Sequence, residues 1–203
     1  MSDIVYESWD KKFFAIRTDQ AASYILKNFM KHFDIYENLA YNDTSTYGGL
    51  QEYFKDNEAL DAEEFLTKLV NKKFQEHNFS LKLTGNPLDN STRSSMKSSR
   101  WRIKYLSGGW QALHSHQPFD DMENHTIISV VMYFDNPGPS HMDGSFISVF
   151  PDKDGKVNWQ EIVPKPGTIL IMSGNLVHGA YPTTVERKII VMDFIAEKVN
   201  NES

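Results

Sequence analysis

Two histidines, His114 and His116, are separated by a single residue near the middle of the 203-residue chain. They end a run that begins at Trp110 and alternates in character, which favours an extended strand. Residues two apart in a strand point to the same face, so both imidazoles would project side by side, with Trp110 and Ala112 behind them. Two imidazoles on one face offer adjacent nitrogen ligands for a metal ion. Because the chain has seven histidines, the pair by itself also fits a chance occurrence.

Two further residues are candidates for the same site. His178 is a third imidazole, and Arg187 follows it later in the chain. Both lie far from the first pair in sequence, so their spacing does not bring them together. Whether the four residues form one site depends on the strands and turns that carry them.

The composition is that of one ordinary soluble domain. The chain is 40% hydrophobic and 24% charged, and 203 residues are enough for one domain but marginal for two. The net charge of -6 argues against a nucleic-acid partner held by a basic surface. The absence of cysteine excludes disulfides and thiolate sites, and it fits an intracellular, cytoplasmic protein. We find no signal peptide and no apolar run that spans a bilayer, so no membrane partner is expected.

Residues 1–85 are predicted to form a helical support region with short strands. Strand character over residues 4–18 gives way to a helix that starts at Gln20 and whose apolar stripe reaches Phe33. The following stretch, residues 36–58, favours loops and one short helix around its Leu-Gln-Glu-Tyr-Phe segment. This region would therefore carry the fold's helical layer.

A second helix is predicted with its N-cap at Asp61, because Glu64 stands three residues later in a capping-box arrangement. It should end near His77, before an alternating strand over residues 79–84. Residues 86–100 then break the pattern, since they are rich in serine and hold no aromatic residue. This segment is predicted to be a flexible surface loop or a lid over a site.

From Trp101 onward the sequence predicts strand after strand. Gly108-Gly109 is expected to turn the chain between the first two strands. The predicted strands cover residues 101–105, 110–116, 126–134, 145–150, 157–163, 168–172 and 187–195. Regularly spaced short strands favour an α+β, mainly β fold: a double-stranded β-helix (jelly roll, cupin-like) over residues 101–197, with the N-terminal helices packed on one outer face. Residues 1–203 would form a single domain with a ligand site in the mouth of the roll.

Residues 100–197 resemble the iron(II)- and 2-oxoglutarate-dependent dioxygenases, in particular their prolyl-hydroxylase-like branch. His114-Ser115-His116 stands where the family has a His-x-Asp pair. The segment from Pro164 to Met172 precedes His178 as the family's Pro-x-x-Gly strand precedes its distal histidine. Arg187 falls where the family has the basic residue that binds the far carboxylate of 2-oxoglutarate. Two more segments are similar to the family's intervening strands, residues 126–134 and 144–146.

The resemblance implies an enzyme that oxidises a substrate C–H bond and releases succinate and CO2. Its metal ligands would be His114, His116 and His178, and its cofactors iron(II) and 2-oxoglutarate, with ascorbate as an optional reductant. Its partners would be dioxygen and either a peptide or protein side chain or a small molecule. The protein itself would position these groups, while the metal and the cosubstrate carry the difficult chemistry.

The second ligand position departs from the family's pattern of two histidines and one carboxylate. Because His116 replaces the aspartate, the metal would carry one more positive charge, which favours binding of a dianionic cosubstrate. A carboxylate could still enter from the following loop, where Asp120 and Asp121 lie. His141-Met142-Asp143 is a literal His-x-Asp, but it occupies a Pro/Gly-rich turn between two strands rather than a metal-binding strand.

Arg187 has a physical reason to be the cosubstrate anchor, because a guanidinium fork matches a carboxylate in two parallel hydrogen bonds. Tyr133 and Ser129 share one strand face and would add hydroxyl donors to the same carboxylate. Alternatively, Tyr133 is a core aromatic and Arg187 forms a surface ion pair. Lys188 points to the opposite face and is the weaker anchor. Asp193 shares the face of Arg187, either as its ion-pair partner or as a substrate contact.

Two alternative functions follow from the missing aspartate. The first is a cupin-type dioxygenase that uses a three-histidine iron site without 2-oxoglutarate. The second is a non-catalytic binding or structural domain on the same fold. Oxygen consumption that is unaffected by Arg187→Ala and by 2-oxoglutarate would favour the first function. Failure of the purified protein to bind metal would favour the second.

Overall fold

The computed structural model describes residues 3–7, 13–19, 22–33, 45–87, 99–116, 125–152 and 154–199. A 3₁₀ turn covers Met30–Phe33. The helices and strands in chain order are β1 (Ile4–Glu7), β2 (Phe14–Thr18), α1 (Ala22–Phe29), β3 (Thr46–Tyr53), α2 (Leu60–Glu76), β4 (Leu81–Pro87), β5 (Arg100–His114), β6 (His125–Tyr133), β7 (Phe146–Pro151), β8 (Val157–Ile162), β9 (Ile169–Ser173), β10 (Val177–Ala180) and β11 (Arg187–Lys198).

The strands form one curled, antiparallel sheet, which confirms the predicted jelly roll with helices on one side. Its order is β1-β2-β9-β6-β11-β5-β10-β7-β8, and β3 and β4 attach to β5 and β11 beside this path. Strand β5 belongs to both layers of the roll. Its first half pairs with β11, and its end pairs with β10. The space between the two layers is therefore bounded on one side by β6 and β11 and on the other by β10 and β7.

No hairpin turn occurs at Gly108-Gly109, which corrects the prediction of two separate strands there. The chain continues in one direction, and the left-handed backbone of Gly108 (φ 85°) bends β5 from one layer into the other. Strand β3 pairs with β5 on both sides of this bend, and a side-chain carbon on Gly109 would lie 2.6 Å from the carbonyl oxygen of Gly48. Glycine is therefore required here for the strand to change layers.

The two faces of β6 point into two separate cores, as its alternating sequence predicts. Ile128, Val130 and Met132 face the helices and pack in a cluster with Phe74 of α2. Val131 and Tyr133 face the interior of the roll. One strand therefore supports both the helical layer and the wall of the inner space.

The start of α2 and residues 46–53 differ from expectation. Helix α2 begins at Leu60 with a left-handed Ala59 as its N-cap, so Asp61 lies inside the first turn, where its carboxylate accepts from the Ala62 N–H (3.0 Å). The Asp61 carboxylate also pairs with Lys31 (2.7 Å) and His32 (2.9 Å) of the 3₁₀ turn. The predicted short helix is wrong, because this segment is the strand β3, which gains its hydrogen bonds from β5.

The predicted lid lies mostly outside the described residues. Its described ends are the end of β4 and the start of β5. Neither of the two described helices combines the length and the apolar character that crossing a bilayer requires.

The helical layer should contribute stability independently of the inner space. Phe74 is fully buried and meets the ring of Phe14 edge-on, with centroids 5.6 Å apart. We expect Phe74→Ala to lower the free energy of unfolding by about 3–5 kcal/mol, because truncation leaves a cavity. Urea denaturation measures this value. The exposed Val157, truncated to alanine, should change it by less than about 0.5 kcal/mol; equal effects would contradict the assigned core.

Candidate metal centre

Three imidazoles meet between the two layers of the roll. His114, at the end of β5, lies directly opposite His178 in β10. His116 follows just beyond β5. One ligand atom from each ring lies within 4.8 Å of the other two, and within the described part of the chain this is the one histidine or carboxylate group arranged to hold a metal. The tertiary structure thus brings together the three histidines that the sequence analysis selected.

The strand that carries the first histidine is not regular. Between Gln111 and His114, β5 has one more residue than the opposing stretch of β10, which is a β-bulge. The bulge breaks the strict alternation expected from Trp110 onward, and the Gln111 amide lies 3.4 Å from the His114 Nε2. The position of Gln111 beside the histidines was not predicted from the sequence, because strict alternation places its side chain on the opposite face.

His116 is held by backbone contacts rather than by a strand. Its N–H donates to the carbonyl oxygen of Gly174 (2.8 Å), in the turn between β9 and β10. A side-chain carbon on Gly174 would lie 2.6 Å from the His116 carbonyl oxygen and 2.9 Å from Ile127. The small size of Gly174 therefore sets how deeply His116 enters the site.

Each imidazole has its Nδ1 engaged by an oxygen that can only accept. The partners are the Ala112 carbonyl for His114 (2.9 Å), the Asp193 carboxylate for His116 (2.8 Å) and the Leu176 carbonyl for His178 (2.9 Å). The Nδ1 atoms must therefore carry the hydrogens. The three Nε2 atoms are therefore the candidate ligand atoms.

The donor set fits a metal ion. The Nε2 atoms of His114 and His116 are 3.1 Å apart. Two metal–nitrogen bonds of about 2.1 Å at a right angle place their nitrogens about 3.0 Å apart. Lone pairs that converge this closely repel one another, and a cation between them reverses that repulsion. Three such ligands on one side of an ion leave the opposite side open, as in non-haem iron oxygenases.

Burial, followed by the neighbouring imidazoles of His114 and His116, lowers the pKa of His178 well below its ordinary value of 6.5. His178 is only 4% exposed, so the charged form loses most of its hydration. The ring is therefore neutral at neutral pH and ready to bind a metal.

Arg187 lies in the same cavity, at the start of β11. It is 3% exposed, and its Nη1 donates to the Gly144 carbonyl oxygen. Its Nη2 is buried and has no hydrogen-bond partner within the described residues. Burial lowers the pKa of the guanidinium, but arginine still carries its charge. A buried cation with an unused donor is what a carboxylate ligand would satisfy.

The contact between Arg187 and the turn before β7 requires glycine at position 144. Gly144 has a left-handed backbone (φ 64°), and a side-chain carbon there would lie 2.3 Å from the Arg187 Nη1. The glycine lets the guanidinium lie against the backbone and leaves its other edge for a ligand.

Tyr133 and Ser129, proposed from sequence as hydroxyl donors, occupy different places. Tyr133 lines the cavity, and its ring lies 5.1 Å from the Arg187 guanidinium carbon. Burial raises the pKa of its phenol, which keeps the hydroxyl protonated. Ser129 is fully buried and is not among the residues that line the cavity. It lies opposite Asp193 in the β6–β11 pairing, behind His116.

The other candidate residues do not join the cluster. The His141 side chain is 86% exposed, and Asp143 accepts hydrogen bonds from the backbone and hydroxyl of Thr184. The Lys188 amine pairs with Glu186 at 3.0 Å, away from the cavity. The remaining alternatives, Asp120 and Asp121, lie outside the described residues.

Apolar and aromatic side chains form most of the cavity wall, and no described aspartate or glutamate lines it. The wall includes Trp101, Trp110, Val131, Phe146 and Ile189. The cavity therefore combines three imidazoles that could hold a metal, one buried cation and apolar walls, which suits an anionic ligand bound beside a metal.

Solved structures with the same fold include a prolyl-4-hydroxylase from Pseudomonas putida, with 18% identity over 92% of this chain and 93% of that one and a TM-score of 0.57. HygX from Streptomyces hygroscopicus, with nickel, 2-oxoglutarate and hygromycin B bound, has 12% identity over 92% and 82% and a TM-score of 0.58. A Trichoplax adhaerens prolyl hydroxylase, in complex with a hypoxia inducible factor peptide, has 14% identity over 90% and 83% and a TM-score of 0.54. No family model and no curated protein matches the sequence. At these low identities, the TM-scores show that the folds are shared.

The absence of a side chain at Gly174 should be what allows His116 to take its position in the site. We expect Gly174→Ala to lower the free energy of unfolding by about 1–3 kcal/mol, because the added carbon overpacks the turn. Cobalt(II) affinity, measured by anaerobic titration, should also fall because His116 is displaced. Val177→Ala is the matched control, since its partly exposed side chain points away from His178. Unchanged cobalt affinity in Gly174→Ala would contradict this role.

The metal-free protein should lose stability as the pH falls below about 6.5. In the unfolded chain His178 takes up a proton near its ordinary pKa, while the folded protein resists protonation. The unfolded state therefore binds more protons, at about 1.4 kcal/mol per pH unit for one group. Urea denaturation between pH 7.5 and 5.5 measures the slope. His178→Gln should flatten it, and an equal slope in both proteins would contradict the assigned burial effect.

Proposed function

We propose that the protein is an iron(II)- and 2-oxoglutarate-dependent dioxygenase, a hydroxylase that oxidises a C–H bond and releases succinate and CO2. The observation that carries this proposal is the presence of Arg187, with an unused buried donor, in the same cavity as the three histidines. A metal site alone fits many functions. A metal site that shares an apolar cavity with one guanidinium matches a ligand that has a metal-binding end and a far carboxylate.

The chain's residues divide the work between the two ends of that ligand. His114, His116 and His178 would hold iron(II) on one side and leave its other side open. Arg187 would bind the far carboxylate in a charge-assisted pair, and the Tyr133 hydroxyl would donate to the same group. Bound iron(II) and 2-oxoglutarate would supply the activation of dioxygen. The apolar walls would exclude water from the oxidised position.

The substrate is proposed to be a peptide or protein side chain or a small molecule. Two structures of similar fold hold a peptide fragment in one case and hygromycin B in the other. In this chain Trp110 lines the cavity, is 37% exposed and stacks on Tyr47 at a centroid distance of 4.4 Å. This aromatic pair offers a flat apolar surface for the part of the substrate outside the cavity.

The cosubstrate assignment predicts that Arg187→Ala weakens 2-oxoglutarate binding to the cobalt(II)-loaded protein at least thirtyfold, which is about 2 kcal/mol or more for a lost buried charge pair. Anaerobic calorimetry measures the dissociation constant. Arg187→Lys should give an intermediate value, because a lysine keeps the charge but lacks the fork. Lys188→Ala is the matched control and should match the unchanged protein, since Lys188 pairs outside the cavity.

Turnover gives the second readout for the same assignment. The iron(II)-loaded protein should form succinate from 2-oxoglutarate above the level of a His178→Ala variant. Failure of the metal-loaded protein to bind 2-oxoglutarate at millimolar concentration would overturn the proposal. Oxygen consumption that Arg187→Ala leaves unchanged would instead indicate three-histidine chemistry without 2-oxoglutarate.

A further inference from the structure

We propose that Asp193 supplies the metal centre, through His116, with the negative charge that a ligating aspartate provides in a two-histidine, one-carboxylate site. Asp193 is then a positioning residue that acts on the metal through an imidazole. This inference rests on the proposed function where it concerns 2-oxoglutarate, and on the metal centre alone where it concerns metal affinity.

The position of Asp193 makes its contact with His116 rigid. It lies in the middle of β11, which is paired with β6 along this stretch, and its side chain is fully buried. Its backbone N–H donates to the Ser99 carbonyl oxygen at 2.9 Å. Its Oδ1 accepts the hydrogen of the His116 Nδ1 at 2.8 Å. His116 itself is 7% exposed, so water screens this contact little.

The three imidazoles have unequal Nδ1 partners. His114 and His178 donate to backbone carbonyls, and His116 donates to a carboxylate. A carboxylate that accepts from a ligand imidazole orients the ring and makes its other nitrogen a stronger donor to a metal. His116 is also the residue that stands in the family's aspartate position. The carboxylate of Asp193 therefore lies behind His116, the proposed ligand that is neutral where the family has a charged aspartate.

Asp193 supplies a negative charge on the metal side of the site, while Asp135 and Asp143 interact electrostatically with Arg187 from outside the cavity lining. A divalent metal and Arg187 bring three positive charges into the cavity. The 2-oxoglutarate dianion and Asp193 bring three negative charges. No described aspartate or glutamate lines the cavity. Without Asp193, the charge of the metal would lose its nearest buried carboxylate, which is costly in an apolar environment.

A purely structural role for Asp193 makes a different prediction from a charge role. If the carboxylate only fixes the His116 ring, its loss weakens the binding of metal and cosubstrate together. If it supplies charge, its loss weakens the binding of the cation and strengthens the binding of the dianion. The two dissociation constants then move in opposite directions.

The first experiment is therefore Asp193→Asn, which keeps the shape and an Oδ1 acceptor for the His116 Nδ1 but removes the charge. We expect the cobalt(II) dissociation constant to rise about 10–100-fold. At saturating cobalt(II), the 2-oxoglutarate dissociation constant should fall, by up to about tenfold for one charge at partly screened range. Any result in which the two constants fail to move in opposite directions overturns the charge role.

The second experiment introduces a carboxylate at position 116 itself and measures only cobalt(II) binding. His116→Asp places a ligand carboxylate beside Asp193, so repulsion between two buried anions should lower cobalt affinity. The double variant His116→Asp, Asp193→Asn removes that repulsion and should bind cobalt(II) at least tenfold more tightly than His116→Asp. Binding by His116→Asp that equals the unchanged protein, or a double variant no better than the single one, overturns the inference.

A buried carboxylate elsewhere provides the control for general loss of stability. Glu63 in α2 is 8% exposed, pairs with Arg100 at 2.9 Å and does not line the cavity. Glu63→Gln should leave both dissociation constants unchanged. If the unchanged protein binds cobalt(II) but not 2-oxoglutarate, the proposed function fails, and the cobalt(II) comparison still decides the role of Asp193.

Discussion

The convergence of three imidazole lone pairs on one point is the constraint on which the site depends. Each ring must be held against the repulsion of the other two, and each is held by its Nδ1 hydrogen. This requires an acceptor behind every ring, from backbone or carboxylate. The roll supplies these acceptors from β11 (Asp193), from the turn before β10 (Leu176) and from β5 (Ala112), the strand that runs through both of its layers. The bend and bulge of that strand are therefore part of the site.

Charge in a space that water scarcely enters is the second constraint. The described lining of the cavity holds one cation, Arg187, and three imidazoles that could bind a second, but no carboxylate. Its anionic partners are the ligand it would bind and Asp193 behind His116. In the proposed site Asp193 would act on the metal through the His116 imidazole, so the role of His116 depends on this buried neighbour.

Much of the roll could be predicted from local pattern. Alternation separated the residues of the predicted strand 126–134 into two faces, and the structure places each face in its own core. The failures share one cause. Residues 46–53 form a strand because β5 supplies its partners, and Asp61 lies inside the first turn of α2, where it pairs with Lys31 and His32. In both cases contacts distant in sequence outweighed local propensity.

The sequence by itself determined which side chains were available: the three histidines, Arg187 and their order within a mainly β chain. Residue type fixes donor chemistry, so the choice of metal and anion ligands did not need coordinates. Only the tertiary structure decided that the His116 Nδ1 donates to Asp193 and that Gln111 turns toward His114. Strand pairing and a bulge set these contacts, and the energies that choose them come from residues far apart in the chain.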